Sequence, residues 1–154
     1  MIANPVNPRK KYLFTLEFDG LEPFLVQKVT LPKISVETAE HGSGNILVKT
    51  GGMVKYTELE LSKLMFSNKN EAWAYNWLKL VANPETGGNG VPSQYKKNGY
   101  LVYLQPDNET ILQKWQLFGC FPKEIEPEEL DKTSSDNLME KVIISVDYMV
   151  KFDS

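Results

Sequence analysis

The sequence predicts a mainly β fold, a small barrel or sandwich of six or seven strands with one α-helix packed on it and extended arms that suit assembly. Three observations lead there. Several segments alternate apolar and polar residues with period two, one segment has a helical period, and Gly- and Pro-rich stretches separate them. At 154 residues the chain is expected to form a single domain over 1–154 with its own hydrophobic core.

Residues 1–11, with Pro5, Pro8 and Arg9-Lys10-Lys11, show no apolar period and read as an N-terminal arm. Tyr12, Phe14, Leu16 and Phe18 then share one face of a half-buried strand, and Asp19-Gly20 supplies its turn. A β-rich stretch from Phe24 to Glu40 is interrupted near Leu31-Pro32, because proline cannot donate to a ladder. Residues 41–55 place the apolar run Ile46-Leu47-Val48 between His41-Gly42-Ser43-Gly44-Asn45 and Gly51-Gly52. This pattern suits an extended loop or hairpin arm outside the core.

From Val54 to Phe66 the chain alternates again. Thr57, Leu59, Leu61 and Lys63 fall on one face, and Tyr56, Glu58, Glu60 and Ser62 on the other. The spacing of Trp73, Trp77 and Leu80 or Val81 predicts a helix over 68–82, opened by Asn68 and Glu71 at capping-box offset and stopped by Asn83-Pro84. Pro84 to Gly99 reads as a long surface loop. Tyr100–Gln105 and Thr110–Phe118 flank Pro106-Asp107-Asn108-Glu109 as a β-hairpin. Residues 123–141 read as an acidic loop, and Val142, Ile144, Val146, Tyr148, Val150 and Phe152 alternate along one long final strand. Long arms on so small a domain suggest assembly, because they bury little within their own subunit.

Composition narrows the function. A net charge of −3 and a pI near 5.3 argue against general nucleic-acid binding, which draws its affinity from Lys and Arg on phosphates. No stretch approaches the roughly 18 apolar residues that span a bilayer, so no membrane insertion is expected. The first eleven residues lack the apolar core of a secretory signal, and synthesis in a reducing cytoplasm is the default expectation.

Catalytic and cofactor chemistry finds little support. The single cysteine, Cys120, excludes an intrachain disulfide and sits in apolar Phe118-Gly119-Cys120-Phe121, the setting of an inert core thiol. His41 stands alone in a Gly-rich segment without a second metal ligand. Gly42-Ser43-Gly44 and Gly87-Gly88-Asn89-Gly90 lack the Gly-Lys-Ser/Thr ending of a phosphate loop. Glu58, Glu60 and the acidic loop could hide a carboxylate pair, but solvated carboxylates are far commoner. Trp73 and Trp77 are better read as pinning the helix to the sheet than as a binding stripe. No catalytic residue, metal or cofactor is expected.

Four stretches, in order, resemble the tail tube proteins of contractile phages, whose fold is shared with the hexameric tube protein of type VI secretion. They are Phe14 to Gly20; Val29 to Glu37 with Gly42, Gly44 and Asn45; Gly51 to Leu64; and the hairpin around Asp107-Asn108 with Trp115, Phe118 and Phe121-Pro122-Lys123. Two departures stand out. Ser62-Lys63-Leu64-Met65 replaces the family's usual basic residue and Gly, and Leu31-Pro32 replaces a commoner Gly-Leu.

The resemblance implies a structural virion protein. Hexameric rings would join strands of neighbouring subunits into one inner barrel and stack into a tube for DNA ejection, assembled in the host cytoplasm. Its implied partners are further copies of itself and the tail sheath, baseplate and tape-measure proteins, with double-stranded DNA passing through unbound. Contacts between subunits or rings are expected at Arg9, Lys10, Asn45, Ile46, Leu47 and Val48. Glu58 and Glu60 are expected either to line the channel, where six copies at −3 would give about −18 per ring and repel a phosphate backbone, or to be ordinary solvated surface or ring-contact residues. The nearest alternative is the tube of a type VI or extracellular contractile injection system, or a baseplate tube initiator. A monomeric ligand-binding β-barrel is a distant one.

Overall fold

The structure, a computed structural model, describes residues 11, 13–21, 26–64, 73–107 and 110–153. Among them are nine strands and two helices: β1 Phe14–Phe18, β2 Val26–Thr30, β3 Ile34–Ser43, β4 Ile46–Tyr56, β5 Leu59–Leu64, α1 Trp73–Val81, α2 Pro92–Tyr95, β6 Lys97–Leu104, β7 Ile111–Pro127, β8 Met139–Ser145 and β9 Tyr148–Asp153. The fold is mainly β, a sandwich-like sheet arrangement with one principal helix, as the alternation predicts.

Seven strands form one bent sheet in the order β1-β6-β7-β8-β5-β2, with β9 also on β7. All pairs are antiparallel. The 17-residue β7 belongs to both leaves of the sandwich. Its first half pairs with β6 and β9, and its second half, from Phe121, pairs with β8. The bend between them falls at Gly119, which takes φ +66°, a left-handed conformation that glycine adopts without a Cβ penalty.

Between the leaves lie Leu16 and Phe18 of β1, Leu59 and Leu61 of β5, Leu101, Leu117, Cys120, Val142 and Ile144. These are the inward positions of the period-two pattern, as alternate residues of a pleated strand point to opposite faces. Helix α1 closes the core with Ala74 and Trp77. The Trp77 ring centroid is 5.2 Å from that of Phe18, and its indole N–H donates to the Tyr95 carbonyl at 2.6 Å. Trp77 therefore pins the helix to the sheet, with its polar edge satisfied. Trp73 packs at the margin of the same core. The helix ends where Asn83-Pro84 predicts, with the Asn83 and Gly87 amides closing a turn with Gly88 and Asn83.

Several boundaries differ from the sequence expectation. The segment 54–66 is two strands: β4 ends at Tyr56 and β5 begins at Leu59, while Thr57 accepts a hydrogen bond from the Lys33 amide at 2.8 Å. The 84–99 stretch is not all loop, since α2 and the start of β6 lie in it. The acidic 123–141 segment is loop only over 128–138, because β7 runs on to Pro127 and β8 starts at Met139.

The single final strand is β8 and β9, broken at Val146-Asp147, and the break reverses the facing. Val142, Ile144 and Val146 are buried, whereas Tyr148, Val150 and Phe152 are exposed and Met149 points inward. The chain crosses there from one leaf to the other, and an alternating sequence gives no sign of such a half-turn. The described part of the helix covers 73–81; its expected start at Asn68 and Glu71, the arm 1–10 and Tyr12 lie outside the described residues.

Candidate assembly interface

Residues 34–56 form a two-stranded hairpin separate from the main sheet. Its register runs from Ile34↔Tyr56 to Ser43↔Ile46, with a bulge between Val36 and Thr38. The two-residue loop is Gly44-Asn45, with Gly44 at φ +64°, the positive angle that the tight hairpin turns favour. The predicted loop or arm at 41–55 is thus a β-hairpin, longer than expected because it begins at Ile34.

This hairpin exposes Ile34, Val36, Ile46, Leu47, Val48, Met53 and Val54, and Ile46, Leu47 and Met53 are each about two-thirds exposed or more. Register puts Ile46 and Val48 on one face and Leu47 on the other. A lone two-stranded ribbon is marginal in water, so apolar residues on both of its faces favour burial against another molecule. Asn45, Ile46, Leu47 and Val48, singled out in the sequence, sit together at its tip; Arg9 and Lys10 fall outside the described residues.

The second surface is the outward face of the leaf built from β2, β5, β8 and the second half of β7. Lys28 and Thr30, Glu60 and Ser62, Lys141 and Ile143, and Glu124 and Glu126 share it. Glu58 stands just before β5. The two glutamates picked from alternation are close neighbours here, but neither is a bare charge. Glu58 receives the Lys123 ammonium at 2.8 Å, and Lys141 lies 3.5 Å from Glu60 and 3.7 Å from Glu126. The Lys123 hydrogen bond holds the Glu58 carboxyl below its ordinary range, and Glu58 in turn raises Lys123. Sequence alone does not reveal these lysines, because the acidic 123–141 stretch that holds Lys123 and Lys141 reads as a loop.

The edges of this leaf form the third feature. Among the described residues β2 pairs only with β5, and the second half of β7 pairs only with β8. A four-stranded antiparallel leaf ends in strands of opposite direction. Copies related by rotation could therefore join edge to edge without breaking the antiparallel alternation.

Chemistry is scarce among the described residues. His41 is exposed on the hairpin, and no group of three or more His, Cys, Asp or Glu side chains could hold a metal ion. Cys120 is buried, and desolvation, with the Asp147 charge, pushes its thiol up to about 12. No described helix is long and apolar enough to cross a membrane.

Comparison with known proteins agrees with the fold. The structure is similar to a chain of the anti-feeding prophage cap (AFP tube terminating cap), with a TM-score of 0.84 at 19% identity over 100% of this chain and 97% of that one. It is also similar to a chain of the PVC sheath-tube complex, an extracellular contractile injection system in the extended state, with a TM-score of 0.77 at 21% identity over 96% and 93% of the two chains. Hcp1 from Flavobacterium johnsoniae superposes with a TM-score of 0.56 at 16% identity over 93% and 100%. Comparison with curated proteins gives no match. The family model of the T4-like virus tail tube protein gp19 matches residues 10–150, and the chain belongs to this structural, non-catalytic family of tube-forming proteins.

Proposed function

We propose that this chain is the tube subunit of a contractile injection system, closing into six-membered rings that stack into a hollow tube. The observation that carries the reading is the 34–56 hairpin, whose two apolar faces have no cover within the chain among the described residues. In a stack it reaches the next ring and buries Ile46, Leu47 and Val48 there, with Asn45 at the turn and the Arg9-Lys10 arm at neighbouring contacts. Within a ring, β2 of one copy pairs with the second half of β7 of the next. The outward face of the four-stranded leaf then lines the bore, including Glu58 and Glu60. Closure leaves no strand edge open to aggregation.

Sheath and baseplate proteins are the expected partners, because similar chains come from a sheath-tube complex and from a baseplate. Those likenesses support protein delivery by an extracellular or cell-borne apparatus over DNA ejection from a virion. The bore face adds a physical reason, since pairing of Glu58 and Glu60 with lysines weakens the repulsion that a bare acidic channel would offer to DNA. The family's phage members favour a second reading, a phage tail tube with a tape-measure protein inside and DNA as its cargo.

Negative-stain electron microscopy and sedimentation of the purified protein test the assembly. Rings and tubes are expected, and the double variant Ile46→Asp, Leu47→Asp should keep rings but lose tubes. A wild-type protein that stays monomeric at high concentration overturns the reading. Nuclease treatment of native particles separates the cargoes, because protected DNA favours the phage and its absence the injection system.

A further inference from the structure

A cleft of about 430 Å³ opens along the seam of the sandwich between β1 and β2. Phe14, Val29, Leu31 and Leu101 give it an apolar floor, and Lys11 and Lys28 stand at its mouth. We propose that this cleft receives the 128–138 loop of a second copy, with Leu130 as the apolar anchor. The inference rests on the ring reading and deepens it by naming what locks one subunit to the next.

Three independent features point to that occupant. The loop carries Glu128, Glu129, Asp131 and Asp136 against a single Lys132, a charge of −3 facing two lysines at the cleft mouth. Leu130 is 81% exposed, the most exposed large apolar side chain among the described residues. The loop is also held in shape. Asp131 accepts the Thr133 amide at 2.9 Å and the Thr133 hydroxyl at 2.7 Å, and Glu128 accepts the Met139 amide at 2.7 Å. A loop already shaped loses less entropy on docking.

Topology brings the two together. The loop leaves β7 at Pro127, on one free edge of the four-stranded leaf, and the cleft flanks β2, on the other. Strand directions place Pro127 at the same end of the leaf as Val26, the first residue of β2. When β7 of one copy lies against β2 of the next, its loop is carried to the mouth of that copy's seam. A single chain cannot make this contact, because its loop and its cleft lie on opposite edges.

Two cysteine variants, Leu130→Cys and Gln27→Cys, are prepared separately, mixed and oxidised under assembly conditions. A disulfide-linked dimer is expected from the mixture and not from either variant alone. The wild-type protein gives a second readout. Carbodiimide treatment of mixed light and nitrogen-15-labelled copies should join Lys28 or Lys11 to Glu129 or Asp136 between chains, read by mass spectrometry. Leu130→Asp should raise the concentration needed for ring formation about tenfold or more. Wild-type rings without inter-chain links would overturn the docking and leave the ring reading intact, as would links from Lys28 only to carboxylates of its own chain. Failure of the wild type to form rings would overturn both.

Discussion

Gly119 and Asp147 approach so closely that only hydrogen fits at position 119. A Cβ there would lie 2.9 Å from the Asp147 Cβ and overlap its carboxylate. The contact sits where two features of the fold meet: β7 bends from one leaf to the other, and the chain crosses from β8 to β9. The Asp147 amide donates to the Phe118 carbonyl at 2.9 Å, and its carboxylate takes the Lys96 ammonium at 2.9 Å. Gly119→Ala should cost about 2–4 kcal/mol, from the positive φ and the overlap together. A shift in the urea midpoint at fixed protein concentration measures it. Gly119→Ala with Asp147→Ala should recover part of the loss, whereas an unchanged midpoint in the single variant would contradict the proposed fit.

Lys63 is a charged residue in a core position, about 1% exposed on the inward face of β5 beside Leu59 and Leu61. Its ammonium lies 3.4 Å from Glu140 and 5.2 Å from the centre of the Trp73 ring. Glu140 is partly exposed, so removing Lys63 does not strand a fully buried carboxylate. Most of the cost then comes from the lost four-carbon stem. Lys63→Ala should destabilise by about 2–4 kcal/mol, and Lys63→Met, which refills the space, by less than about 1.5 kcal/mol. Equal losses in the two variants would show that charge, not packing, holds the site.

The period-two pattern carried most of the fold. Phe14, Leu16 and Phe18, and Leu59 and Leu61, lie on the faces that alternation predicts, and Trp73 and Trp77 hold a helix ended by Asn83-Pro84. Alternation encodes which side of a strand is apolar; it does not encode which leaf the strand belongs to. That is why 142–152 read as one strand, although the residues after Asp147 turn their apolar side outward. The same limit hid the length of β7, whose later residues Lys123, Glu124 and Glu126 look like solvated loop and are one polar face of a strand. At the proposed assembly surface, the exposure of the hairpin tip at Ile46–Val48 is legible because apolar residues between glycine pairs have no local partner. The Lys123 and Lys141 pairings are not, since they depend on strand register across more than sixty residues.

The Glu58–Lys123 pair gives a pH signature. Glu58 is lowered from 4.5, so the stabilisation it contributes is present above that value and is lost as the pH falls through its lowered one. Lys123 is raised from 10.5, so its contribution is present below that value and is lost as the pH rises through its raised one. Both groups are solvent-exposed, and added salt should weaken the pair. Carbon-13 NMR of the side-chain carboxyl should place the Glu58 midpoint below 4.5 in the wild type and return it towards 4.5 in Lys123→Ala. A midpoint that ignores the substitution would remove the ion pair as its cause.

Cys120 tests the closure of the core. Its side chain is buried among Leu117, Ile144 and their neighbours, and burial first, with the Asp147 charge second, raises the thiol from 9.0 to about 12. The nucleophile in thiol chemistry is the thiolate, so a thiol both buried and neutral is doubly protected. A disulfide reagent at pH 8 should leave folded protein unmodified and titrate one thiol per chain in urea. The raised value also links to stability. Between about pH 9 and 12 the unfolded chain ionises its thiol and the folded chain does not, so stability should fall as the pH rises through that window. Cys120→Ala should remove this alkaline component while costing about 1 kcal/mol or more in packing. Rapid labelling of the native protein would mean that the two leaves part readily at the Gly119 bend.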